Sequence, residues 1–167
     1  LQGVLDYASD LPLTYLNELR ERSADVHVLE ALQLQTRMLV FDCERPPLSD
    51  QRVRQAICFA IDRERFLQQV YGGMAESAIG PIPPGVLGHH PSERAYELDP
   101  PRARALLEEA GYGGGFDTEV WWPQSVNSAV ECLKDDLARV GIRAEFRYVA
   151  AEDMRRALKL QMVPIAG

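Results

Sequence analysis

Apolar residues recur at two periods along this chain, and the segments they mark alternate. After Asp50, Val53, Ala56, Ile57 and Ala60 fall at i, i+3, i+4 and i+7, which is one face of a helix with Asp50 placed as its N-cap. Asp62 caps a second helix whose apolar side is Phe66, Leu67, Val70 and Tyr71, and Gly72 and Gly73 end it. Asp99 caps a third, with Pro100 at its first position, Ala103, Leu106, Leu107 and Ala110 on one face, and Gly111 as its stop. A long helix is predicted over "SVNSAVECLKDDLARVG", with Val126, Ala129, Val130, Leu133, Leu137 and Val140 on its apolar face and Gly141 after it. "LPLTYLNELRER" and "EDMRRALKL" predict helices near the two ends.

Between these lie segments of strand character. "IRAEFRYV" alternates, with Ile142, Ala144, Phe146 and Tyr148 on one side and Arg143, Glu145 and Arg147 on the other. "FDTEVWW", "DVHVLEAL" and "GVLDYAS" also predict strands, and "MVPIAG" reads as the beginning of one. "QTRMLVFDC" has a more continuous apolar run, as expected of a strand buried on both faces. "IGPIPPGVLGHHPSERAYELDPP" has no period and reads as a long loop, a class that is often functional. Strands alternating with helices imply an α/β layer structure.

Charge and chemistry narrow this only a little. A formal net charge of −7 argues against nucleic acid as a main partner, because phosphate binding needs a positive face. No apolar run is long enough to span a membrane. Cys43, Cys58 and Cys132 lack metal-ligand spacing and read as small buried hydrophobes, with a Cys43–Cys58 disulfide left open. Adjacent His89 and His90 point apart in an extended loop, so no metal site is expected. "GYGGGF" follows a helix and precedes a strand, the reverse of a phosphate loop. No nucleophile or metalloprotease motif is present, so neither an enzyme nor a cofactor is expected. Arg52, Arg54, Arg63 and Arg65 lie among Asp50, Asp62 and Glu64, which predicts helix-surface pairing or a buried structural arginine. "VWWPQSVN" draws most attention, because clefts form where strands of α/β sheets end. Strand neighbours point oppositely, so one tryptophan faces the core; the other faces a cleft, a partner or more packing.

The run "FDCERPPLSDQRVRQAICFAIDRERFLQQVYGG" resembles the family 5 extracellular solute-binding proteins, receptors of peptide and nickel ABC importers. It keeps Pro46, Pro47, Asp50, Arg52, Val53, Arg54, Ala56, Ala60, Ile61, Asp62 and Arg63 of the family's pattern. "GPIPPG", "LDPPRARALLEEAGY", "ECLKDDLARVGIRAEF" and "LQGVLDYASDLP" resemble further family segments in the same order. Asp42, Cys43, Leu48 and Ser49 depart from it and leave the ligand open.

The resemblance implies part of the distal lobe of a bilobal, periplasmic-binding-protein type II fold, a mixed sheet flanked by helices, with residues 1–167 a partial domain. The two helices after Asp50 would then be scaffold, packed on the sheet. The implied function is capture of di- or oligopeptides between two lobes and delivery to ABC transporter permease subunits, in a periplasmic or extracellular setting. Nickel or oligosaccharide carriage and a solute-sensing domain of a cytoplasmic transcription regulator are the alternatives. Arg37, Met38 and Leu39, and Trp121, Trp122, Gln124, Ser125 and Asn127, match cleft-lining positions, with Arg37 a partner for a ligand carboxylate. The family's contact for a peptide amino group is expected beyond Gly167.

Overall fold

The computed structural model describes residues 15–21, 27–29, 33–90, 96–124, 130–159 and 165–166. The chain divides into two compact units, Leu1–Gln33 and Leu34–Gly167. In the first, α1 (Leu16–Glu21) is the described part of the helix predicted near the start. His27–Leu29 has no regular structure where a strand is expected, and the "GVLDYAS" segment lies outside the described residues.

The second unit holds a four-stranded sheet of order β1-β4-β2-β3. Its strands are β1 (Val40–Phe41), β2 (Phe116–Pro123), β3 (Ile142–Val149) and β4 (Ile165–Ala166). β2 runs parallel to both β3 and β4, and β1 runs antiparallel to β4. The sheet is therefore mixed. β3 and β4 lie on opposite sides of β2, so the chain steps out to one side and returns across β2 to the other. The two intervening helices follow that reversal. α5 (Val130–Ala138) sends Val130, Leu133 and Leu137 into the core with Val120, Trp122 and Ile142. α6 (Ala151–Lys159) packs Met154 with Val149 and Trp121 on the opposite sheet face.

Local chemistry builds the helices. The Asp50 carboxylate accepts from the Arg52 amide at the start of α2 (Gln51–Ala60), and Asp62 accepts from the Arg65 amide at the start of α3 (Arg63–Tyr71). Asp99 accepts from the Arg102 amide at the start of α4 (Pro100–Glu109). Each satisfies an N–H with no partner inside the helix. Gly72 ends α3 in the left-handed region, φ 56°. Val53, Ala56, Ile57 and Ala60 are buried as their spacing predicts. They share one core with Ala103 and Leu107 of α4 and with Phe116, Val120, Ile142 and Ile165 of the sheet. α3 buries no residue fully; its Phe66 and Val70 pack at the core's margin.

Three expectations need correction. The strand predicted over "QTRMLVFDC" contracts to Val40–Phe41. Met38 and Val40 are 47% and 42% exposed, so it is not a strand covered on both faces. The cause is tertiary: within the run Val40 and Phe41 are the residues that pair, with Ala166 and Ile165 of β4, and a partner more than 120 positions away is not written in the run's own apolar pattern. Cys43 is exposed, not a buried hydrophobe. Tyr148, expected inward with Ile142 and Ala144, is 44% exposed.

The α2–α5 region holds the least expected feature. Asp136 is 1% exposed. Its carboxylate accepts from Arg65 Nη2 at 2.7 Å, Arg139 Nη1 at 3.1 Å and the Asp62 amide at 3.0 Å. A buried carboxylate is tolerated when it is paired and its lone pairs are used, which is the case here. Arg54 and Arg63 bind no carboxylate among the described contacts. They donate to the carbonyls of Leu48 and Ser49, and of Cys58 and Tyr96. The arginines of the opening helices are thus structural staples.

Candidate functional site: the carboxyl edge of the parallel strands

β2 is an alternating strand whose two faces meet different neighbours. Phe116, Val120 and Trp122 point to the core; Asp117, Glu119 and Trp121 point the other way. The parallel register pairs Asp117 with Arg143, Glu119 with Glu145 and Trp121 with Arg147 on the second face. Trp122 is 6% exposed and packs edge-on against Phe146 with ring centroids 5.8 Å apart. It is a core residue, and its ring is not presented at a surface. Trp121 is half-buried. Its indole Nε1 donates to the Glu119 carboxylate, and the Arg147 guanidinium lies 5.0 Å from its ring centre. The pair of tryptophans is thus divided between the faces, one to the core and one to the second face.

Charge on that second face is mixed. Arg143 Nε donates to Asp117 at 2.6 Å and holds the Asp117 carboxyl below the usual carboxylate range. Glu119 and Glu145, directly opposite, carry like charge, a pairing that disfavours strand association. Arg147 is the next residue on that face of β3, over the Trp121 ring. Sequence alternation reveals the face each residue takes, but not the register that makes these pairs.

Topology brings the two predicted clusters to one edge. Ala166 pairs with Trp121 on one side and Val40 on the other. Because β1 is antiparallel to β4, residues preceding Val40 lie beyond the carboxyl ends of β2 and β4. Arg37–Leu39 therefore leave the sheet at the same end as Pro123 and Gln124, separated from β2 by two strand spacings, about 10 Å. Arg37 and Met38 are exposed, and Leu39 is half-buried against the core. The Gln124 amide donates to the Val149 carbonyl at 3.2 Å, which ties the turn after β2 to the end of β3. Ser125 and Asn127 lie outside the described residues. The carboxyl ends of parallel strands, where the chain reverses direction across the sheet, are where α/β folds form ligand crevices.

Among the described residues no group of three or more His, Cys, Asp or Glu side chains is placed to hold a metal ion. The His89 ring bonds through Nδ1 to the Ile82 carbonyl at 2.8 Å within its loop. No helix among the described residues is long and apolar enough to cross a membrane.

Comparison with known proteins agrees with the fold. Residues 1–165 match the family described as bacterial extracellular solute-binding proteins, family 5 Middle. Heme-binding protein A of Haemophilus influenzae is 31% identical over 140 residues, covering 79% of this chain and 26% of that protein. The dipeptide-binding protein of Escherichia coli is 30% identical over 145 residues, covering 82% of this chain and 27% of its own length. The chain thus spans about a quarter of these relatives. A crystal structure of a dipeptide-binding protein from Pseudoalteromonas sp. SM9913, in complex with Met-Leu, superposes with a TM-score of 0.76. It is 28% identical, over 93% of this chain and 32% of that one.

Proposed function

The chain belongs to the family 5 bacterial extracellular solute-binding proteins, and from that premise we propose that it is part of the substrate-binding component of an ABC importer for di- or oligopeptides. As a partial domain it supplies one wall of a site between two lobes, in a periplasmic or extracellular setting, and ABC permease subunits receive the loaded form. The work is non-covalent: ligand contacts made only in the closed form favour that form, and no bond is made or broken.

The observation that carries this reading is the shared edge. Arg37–Leu39 and Trp121–Gln124 come from segments more than eighty positions apart, yet the sheet register sets both at the carboxyl ends of β2 and β4. Arg37 offers a cation for a peptide carboxylate. Gln124, with Ser125 and Asn127 following, offers amide and hydroxyl groups for peptide backbone. Met38, Leu39 and Trp121 offer apolar surface for side chains. Polar groups few in number on an apolar wall are what a small-ligand site requires. Trp122 supports the wall from behind. Peptide as the ligand class is favoured by the Met-Leu complex of the Pseudoalteromonas protein and by the dipeptide-binding relative. Heme is the second reading, favoured by the Haemophilus influenzae relative.

The test is calorimetry and thermal shift on the full-length protein, stripped of ligand, with Met-Leu, a tetrapeptide, heme and mannohexaose. Saturable binding and a raised melting midpoint with the peptides are expected. Binding of heme or sugar alone would overturn the substrate, and binding of none would overturn the receptor reading.

A further inference from the structure

A pocket of about 280 Å³ opens on the side of α2 away from the core, and two thiols line it. Gln51, Arg54, Gln55 and Cys58 form one stripe along α2, at the same i, i+3, i+4 and i+7 spacing as the buried face but on the other side. Phe41 and Cys43, at the end of β1, supply the facing wall. All three cysteines of the chain are thiols. Cys132 is buried on α5 and is not part of this pocket.

The two pocket thiols differ in a way that orders their chemistry. Cys43 is exposed, and its Sγ donates weakly to the Phe41 carbonyl at 3.6 Å. It sits at the start of a segment of turns, Cys43–Arg45, whose side chains face solvent. Cys58 is half-buried. Burial pushes its thiol above the usual range, and the neighbouring Arg63 guanidinium offsets only part of that rise. An exposed thiol meets an external disulfide first. A thiol inside the same pocket is placed to displace the adduct.

We propose that Cys43 and Cys58 are a redox pair that forms a disulfide by exchange with an external disulfide, closing this pocket and joining the end of β1 to α2. In the first step the Cys43 thiolate attacks one sulfur of the donor; the donor S–S bond breaks, one donor thiolate leaves, and a mixed disulfide remains on Cys43. In the second step Cys58 gives its proton to solvent and attacks the Cys43 sulfur. The Cys43–Cys58 bond forms and the second donor thiolate leaves. Two protein thiols are oxidised and one donor disulfide is reduced to two thiols. The bond requires the two β-carbons within about 4 Å of each other across the pocket. The pair is independent of which solute the receptor carries.

The test uses the full-length protein, reduced, desalted and incubated with oxidised glutathione, then alkylated in denaturant and mapped by non-reducing peptide mass spectrometry. The expected product is a cross-linked peptide pair containing Cys43 and Cys58 with Cys132 alkylated, and before alkylation an intact mass lower by two hydrogens than the reduced protein. In Cys58→Ser the glutathione should stay on Cys43 as a stable adduct. In Cys43→Ser, altered at an exposed position, neither adduct nor cross-link should form under the same exposure. Wild-type protein that keeps glutathione on Cys43 with Cys58 alkylated, or that reacts at neither, overturns the pair.

Discussion

Val40 and Trp121 stand in register on opposite sides of Ala166, although eighty residues of chain separate them. That relationship sets Arg37 and Gln124 at one edge of the sheet. In the full-length protein, Arg37→Ala should weaken Met-Leu binding about tenfold or more, about 1.4 kcal/mol, and Gln124→Ala by a smaller factor. Neither should move the melting midpoint of the unliganded protein. Isothermal calorimetry measures both, and wild-type affinity in both variants would take this edge out of the site.

The two tryptophans should separate cleanly by stability. Trp122→Ala removes a core ring packed on Phe146 and should cost about 3–5 kcal/mol. Trp121→Ala removes a half-buried ring and its contact with Arg147, and should cost about 1–2 kcal/mol. Denaturant titration of the two variants distinguishes them; equal losses would contradict the division of faces.

Gly115 is needed where β2 and β3 begin side by side. Its φ is +77°, and a Cβ there would overlap the Gly141 carbonyl oxygen. Gly115→Ala should therefore cost about 3 kcal/mol or more, since both backbone strain and a backbone clash must be relieved. Gly114 has open space around it, and Gly114→Ala should stay within about 0.5 kcal/mol. Comparable melting midpoints for the two variants would refute the close approach.

Asp136 and Asp135 give a similar contrast on α5. Asp136→Ala strands Arg65 and the Asp62 amide without their partner and should cost about 3–5 kcal/mol. The Asp135 side chain is 63% exposed and 4.0 Å from Arg65, so Asp135→Ala should change stability by less than about 1 kcal/mol.

Acid stability should depend on Asp50 and Asp117. Bonds from Arg52 and Arg143 hold these carboxyls below the usual carboxylate range in the folded protein. A lowered folded value means that the stabilisation is present above the unfolded value and is lost as pH falls through the folded one. Asp50→Asn and Asp117→Asn should therefore melt lower than wild type at neutral pH. The gap should close as pH drops below the carboxylate range. Melting curves that stay parallel throughout would show that neither pair contributes.

Much was legible in the sequence because it is written within one or two turns of chain. Asp50, Asp62 and Asp99 cap the helices they precede, since each needs only an amide two or three residues on. The inward face of α2 and the alternation of β2 and β3 follow from side-chain period alone. The order of short family segments, from "PPLSDQRVR" to "VGIRAEF", carried the family itself. The sequence could not say that within its run Val40 and Phe41 are the residues that pair with β4. It could not say which tryptophan turns inward, that Glu119 lies against Glu145, or that Arg54 and Arg63 serve carbonyls and not carboxylates. Nothing local marks Asp136 as buried; its partners include the Asp62 amide, 74 positions earlier, and Arg65. Caps and periods are local free-energy choices that any folded context inherits. Register, strand order and the partners of buried charge are fixed only when distant segments compete for the same space, and so the tertiary structure alone decided them.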